Sequence, residues 1–290
     1  MSDSTGTGSS TAGLLAIDVG SSRVKLGWYP PSAACTAAQK PGALPIAEPR
    51  LPLPVETLVV PHHGALHGEE RTELQRWLDQ LGAGQPRCFL ASVHPQATAA
   101  VLEVLQDYAV AQPYRLGVEE LAIEVRVEQP ERVGVDRLLN ALAANRLREP
   151  QRPAIVADLG TASTVDFIAA DGAFEGGAIL PGIAISAAGL HSGTAALPQL
   201  ALEALLDVPP KVIGKSTSSA IASGLYWGTV GAVRELVQRM SQPCDVPPQV
   251  FVTGGDAPRL AAELFGDEGT ARHIPHLVLA GIYLAAQELL

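Results

Sequence analysis

Aromatic residues are scarce in this chain, at 4% of 290 positions, so its core has to be assembled from Ala, Leu, Val and Ile. Cysteine is nearly absent: Cys35, Cys88 and Cys244 are far apart, odd in number and in no CxxC pair. That argues against a disulfide framework or a thiolate zinc site and fits a reducing compartment. Positive charge is in deficit, with 20 Lys and Arg against 30 Asp and Glu and a formal net charge of −10. Without a cation cluster to neutralise phosphates, nucleic-acid binding is not expected. Every apolar run is broken by Gly, Pro or charge before the ~18 residues of a membrane span. A soluble cytoplasmic protein with no membrane partner is therefore expected. The P-loop pattern GxxxxGK(S/T) and the zinc-peptidase pattern HExxH are also missing.

What is present is an alternation of strand-like and helix-like segments in both halves of the chain, which defines an α/β class. In the first half, 14–19 and 24–29 read as a hairpin, 69–81 and 95–108 as helices, and 87–92 and 121–127 as strands. In the second half, 154–158, 165–169 and 249–253 read as strands. Residues 136–147, 183–189, 199–206, 218–240 and 276–290 read as helices there. Residues 30–54 are rich in Pro and Ala and read as a loop or short edge strands, and 176–182 as a glycine-rich segment. Residues 1–12, with a Ser/Gly/Thr-rich start, read as a disordered tail. Two domains are expected, 13–129 and 130–290.

One motif occurs twice. Asp18-Val19-Gly20-Ser21-Ser22 follows an apolar run, and so does Asp158-Leu159-Gly160-Thr161-Ala162-Ser163-Thr164, 140 residues later. A carboxylate at a strand end can hold a hydrated divalent cation, and the Gly lets backbone approach a phosphate. Lys25 lies on the following strand within reach of a phosphate. An ordinary hairpin turn accounts for either copy alone; two copies, each opening one half, point to a duplicated fold facing a nucleotide triphosphate. Asp166 follows as a further acidic group or a turn carboxylate. Gly134-Val135-Asp136-Arg137 puts an acid and a cation at a helix N-terminus, where the helix dipole favours an anion. Asp136 there can take a proton from a substrate hydroxyl and Arg137 can clamp an anion, or Asp136 can simply cap the helix. Gly254-Gly255-Asp256 suits an adenosine-binding loop or a plain strand-to-helix turn. Gly214-Lys215-Ser216-Thr217 resembles the tail of a P-loop, but Pro209 stands where the upstream glycine is required. His62-His63 and His67 read as loop surface residues.

Taken together, six motifs in their order along the chain, Asp18–Ser22 with Lys25, Gly134–Arg137, Asp158–Asp166, Gly176-Gly177 with Pro181-Gly182, Gly214–Thr217 and Gly254-Gly255, resemble the type III pantothenate kinases. The resemblance runs from Leu14 to the terminal helix. It implies a duplicated ribonuclease-H-like fold of the actin-like ATPase kind, with mixed sheets flanked by helices. It implies ATP-dependent phosphorylation of pantothenate, the first step of coenzyme A synthesis, by a homodimer. Asp18, Val19, Gly20, Ser21, Ser22, Arg23, Val24 and Lys25 would then form the ATP phosphate site, with Asp18 acting through magnesium-bound water and Thr161 touching ATP. Gly134, Val135, Asp136 and Arg137 would line the pantothenate site, with Asp136 as general base and Thr217 as a further contact. Asp158 would bind a monovalent cation, potassium or ammonium. The family usually carries Asn where Ser21 stands, so phosphate or metal contact there becomes shorter in reach. Another small-molecule kinase of the same superfamily and a non-catalytic regulator are the alternatives.

Overall fold

The computed structural model describes residues 12–31, 51–81, 86–108, 112–201, 208–265 and 271–290. The expected tail, most of the 30–54 loop, Cys35 and most of the expected 199–206 helix lie outside the described residues. The chain forms two compact units, Met1–Glu120 with Val278–Leu290, and Leu121–Leu277.

In the first unit, β1 (Leu14–Val19) and β2 (Arg23–Tyr29) form the expected hairpin, and β3 (Glu56–Pro61) extends it antiparallel. β4 (Arg87–Ser92) and β5 (Tyr114–Arg115) are added in parallel on the other side, giving the order β3-β2-β1-β4-β5. Successive side chains alternate between the two faces of the sheet. Leu15, Ile17 and Val19 point into a core with α1 (Gly68–Leu81) and α2 (Pro95–Asp107). α1 buries Leu74, Trp77 and Leu78, the i, i+3, i+4 stripe of an amphipathic helix. Asp18 shares the opposite face with Gly27 and Tyr29. The terminal helix covers that face: a methyl on Gly27 would come within 3.0 Å of Leu279, and the rings of Tyr29 and Tyr283 are 4.4 Å apart.

In the second unit, β6 (Ala154–Leu159), β7 (Ala162–Ile168) and β8 (Phe174–Pro181) form an antiparallel meander. β9 (Gln249–Thr253) and β10 (Ala271–His273) extend β6 in parallel. The order β10-β9-β6-β7-β8 repeats the first sheet strand for strand. Ile155, Ala157, Leu159 and Val165 face a core that includes Ile183 and Ala187 of α4 (Ile183–Ser192), Tyr226 of α5 (Thr217–Ser241) and Leu260 of α6 (Ala257–Phe265). The other face, carrying Asp158, Thr164 and Asp166, packs against α3 (Val135–Leu147). The terminal helix, α7 (Leu277–Leu289), closes the chain and from Val278 onward belongs to the first unit.

One expectation needs correction. Residues 121–127 form no strand; Val125 makes one isolated bridge to Phe174, although the alternating sequence reads as a strand. The glycine-rich segment 176–182 lies mostly in β8. No described helix is long and apolar enough to cross a membrane.

Candidate functional site

The first turn is built on the β1–β2 register. Asp18 faces Lys25 across the strands, and Lys25 Nζ lies 3.1 Å from Asp18 Oδ2. The Asp18 side chain is 4% exposed and that of Lys25 25%, so the pair keeps its cation accessible and its carboxylate covered. The turn closes when Gly20 N–H donates to the Arg23 carbonyl at 3.0 Å. His62, read from sequence as a surface residue, is buried instead. His62 N–H donates to the Ser22 carbonyl at 2.9 Å. Gly64 N–H donates to His62 Nδ1 at 3.2 Å, so Nε2 carries the proton and donates to the Gly20 carbonyl at 2.9 Å. Burial holds the His62 imidazole below its ordinary value; the Gly20 bond pulls the other way, and His94 and His63 add to the lowering. His63 and His67 are exposed, as expected.

The second turn has the same plan and one residue fewer. Three residues, 160–162, separate the paired Leu159 and Ser163, against four, 20–23, between Val19 and Val24. The residue opposite Asp158 is therefore Thr164, not a cation. Asp158 is instead met from α3: Asn140 Nδ2 donates to Asp158 Oδ2 at 2.8 Å. Asn140 is 2% exposed, and its Oδ1 has no hydrogen-bond partner among the described residues.

Glycines crowd this turn. A methyl on Gly182 would lie 2.1 Å from the Gly160 carbonyl oxygen, and one on Gly254 2.5 Å from Asp158 Oδ1. Gly254 also has φ +98°, a backbone that side chains rarely adopt. Gly254 thus packs its backbone directly on the Asp158 turn, ahead of α6.

Gly134, not Asp136, is the N-cap of α3. Asp136 sits in the first turn, half-buried, with Oδ1 accepting from Arg137 N–H at 2.9 Å. Arg137 turns its guanidinium onto Asp166 of β7, with Nε 3.0 Å and 3.2 Å from the two carboxylate oxygens and Nη2 also bonded. Thr164 Oγ1 donates to Asp166 Oδ2 at 3.1 Å. Burial pushes the Asp166 carboxyl up from the usual aspartate range, while Arg137 and Thr164 pull it down. Arg137, Asn140, Asp158 and Asp166 are thus joined on one face of the second sheet.

Thr217 opens α5 just after Ser216, whose side chain caps the helix in a reciprocal box with Ser219. Gly214 packs on that first turn, where a methyl would lie 2.3 Å from Ala220 N. The resemblance of 214–217 to a P-loop tail is thus helix capping. Thr217 lines a cavity of about 1230 Å³ with Ser186 and Leu190 of α4. None of Asp136, Arg137 and Asp158 lines it.

No group of three or more His, Cys, Asp or Glu side chains among the described residues is placed to hold a metal ion. A cation at Asp158 would meet one carboxylate and the unpartnered Asn140 oxygen, the hard oxygen donors that alkali and alkaline-earth ions prefer, so these residues fit such an ion. Asp18 is already engaged by Lys25. That fits a carboxylate bonding to the waters of a hydrated magnesium ion rather than to the metal itself.

Two sheets of identical topology, each with an Asp at the same point of its first strand, define an actin-like ATPase fold. The same fold occurs in a Baf family transcriptional activator from Campylobacter jejuni (TM-score 0.55, 17% identity, covering 95% of this chain and 98% of that one). It also occurs in the activator of the 2-hydroxyisocaproyl-CoA dehydratase from Clostridium difficile, solved with bound ADPNP (TM-score 0.50, 12% identity, covering 96% and 97%). Residues 55–239 match the sequence profile of type III pantothenate kinase. The type III pantothenate kinase of Maricaulis maris is 39% identical over 209 residues, 69% of this chain and 76% of that one. That of Dehalococcoides mccartyi is 33% identical over 259 residues, covering 86% and 88%. The chain belongs to the type III pantothenate kinase family, phosphotransferases with an alcohol acceptor.

Sequence reasoning missed Asn140 and His62. Asn140 was legible as a polar residue on the apolar stripe of 136–147, next to Leu139 and three residues after Arg137. His62 carried no signal, because only the fold brings it to Gly20.

Proposed function

We propose that this chain transfers the γ-phosphoryl group of ATP to the primary hydroxyl of pantothenate, giving 4'-phosphopantothenate, the first step of coenzyme A synthesis. The observation that carries the reading is Asp136, a carboxylate held at the start of α3 by the Arg137 N–H, beside a guanidinium. Asp136 takes the hydroxyl proton while the new O–P bond forms. The bond between the β,γ-bridging oxygen and the γ-phosphorus breaks, and ADP leaves with the electron pair. Arg137 and Thr217 hold pantothenate. The backbone of the Asp18–Lys25 turn, with Lys25, holds the ATP phosphates, and Ser21 presents a hydroxyl there.

Phosphoryl transfer asks mainly for positioning and charge stabilisation, which these groups supply. A monovalent cation at Asp158 and Asn140, and magnesium bound through water at Asp18, would offset the charge that develops on the phosphates. The enzyme works in the cytoplasm as a homodimer. The exposed Ile185, Leu190, Val212 and Ile213 of the second unit are the apolar surface that a second copy would cover. Sedimentation equilibrium at twice the chain mass is the expected result.

The deciding assay is ATP-dependent formation of phosphopantothenate in potassium, repeated in sodium. Asp136→Asn should lower kcat by about 10²–10⁴-fold. Near wild-type kcat in a folded Asp136→Asn protein would sink the assignment of the base.

A further inference from the structure

We infer that Asp166 is a positioning residue that aims Arg137 at the carboxylate of the substrate. The inference rests on the pantothenate reading of the site. Arg137 carries five N–H donors in a rigid planar fork. Asp166 engages its Nε and one side of Nη2. No hydrogen bond from Nη1 is found among the described residues, so one edge of the fork is fixed and the other can pair with an anion in bidentate geometry.

Several features hold Asp166 rigid. Its side chain is 2% exposed, against 16% for Arg137. Thr164, two residues earlier on the same face of β7, fixes Oδ2 at 3.1 Å. Gly177 is its cross-strand partner, and a methyl there would fall 2.5 Å from Asp166 Oδ1 and 2.2 Å from the Val165 carbonyl oxygen. The missing side chain at 177 is what lets the carboxylate lie against β8. Phe174 supports the guanidinium from a ring 5.4 Å away. The fork is thus set by two strands as well as by its own helix. A surface ion pair needs no such framing, whereas a side chain that must meet a substrate in one orientation does.

An ion pair with a purely structural role would affect all substrates alike. Pantothenol, which carries a hydroxymethyl in place of the carboxylate, separates the two roles. Steady-state kinetics of wild type and Asp166→Asn are compared on pantothenate and on pantothenol, with circular dichroism to verify folding. The ratio of kcat/KM for pantothenate to that for pantothenol should fall about tenfold, chiefly through KM for pantothenate. An unchanged ratio in a folded variant overturns the inference. If Asp166→Asn does not fold, Thr164→Val decides: the same ratio should fall about two- to threefold, since it removes one of the two hydrogen bonds to Asp166 Oδ2, and no change overturns the inference. A wild-type protein that does not phosphorylate pantothenate overturns the functional reading itself, a result distinct from an unchanged ratio.

Discussion

Asn140 donates its amide N–H to Asp158 across 2.8 Å, while its own amide oxygen is buried without a hydrogen-bond partner among the described residues. A buried acceptor without a partner ordinarily costs about 1–3 kcal/mol, so one beside a carboxylate at a turn calls for something to bind it. A cation shared with Asp158, as proposed above, would meet that need.

Asn140→Ala should therefore weaken the response to potassium. The half-saturating potassium concentration for activity should rise about tenfold or more, the scale on which supporting partners of metal ligands act. Melting temperature measured in potassium chloride against choline chloride gives a second readout. Wild type should be stabilised by potassium and the variant much less; equal stabilisation would show that Asn140 does not touch the ion.

The Asp18–Lys25 pair predicts a different pattern. Lys25→Met removes the cation facing a covered carboxylate and should destabilise the protein by about 1–3 kcal/mol, the lower end applying because Lys25 is partly exposed. Asp18→Asn combined with Lys25→Met should recover part of that loss, because removing both partners leaves less buried charge unmatched. Urea unfolding measures both, and the KM for ATP should rise in each variant. Additive losses would mean that the pair is not coupled.

Gly254→Ala tests the packing of β9 on the Asp158 turn. The added methyl meets Asp158 Oδ1 and the Leu159 backbone from a left-handed backbone position. A loss on the order of 3 kcal/mol is expected from strain and overpacking together. Gly224→Ala is the control, since a methyl there has open space and adds helix propensity. Similar melting points for the two variants would contradict the close packing.

His62 sets a pH dependence. Its imidazole titrates lower in the folded protein than in the unfolded chain, so the unfolded chain takes up the proton first as pH falls. Its contribution to stability is complete above the ordinary value of about 6.5 and is lost as pH drops from there through the folded value. His62→Asn should flatten the slope of stability against pH below about 6.5. The same slope in variant and wild type would assign it to other groups.

Much of this architecture was legible in the chain because periodicity reports burial directly. The strands 14–19, 87–92 and 249–253 match β1, β4 and β9, since each is a short apolar run bounded by turn residues. Glu56–Pro61 passed unnoticed because prolines flank it and only Leu58 and Val60 face the core. Residues 121–127 misled for the opposite reason: alternation marks a strand only where a neighbour offers a full ladder, and here only Val125 pairs. At the site, the carboxylates and the GVDR sequence could be read from residue type and spacing. Their partners could not: Arg137 and Asp166 lie 29 residues apart on a helix and a strand, and Asn140 and Asp158, again on a helix and a strand, lie 18 apart. Side-chain pairing between elements is decided by packing, which a single sequence does not display.

The one-residue difference between the two turns reaches further than its size suggests. With four linking residues, Asp18 stands opposite a lysine; with three, Asp158 stands opposite a threonine, while both sheets keep the same strand order. The two carboxylates thus meet different chemical neighbours at equivalent places in the ladder. Twin halves can take up separate trades through a turn and the one residue that faces it, while the scaffold keeps its plan.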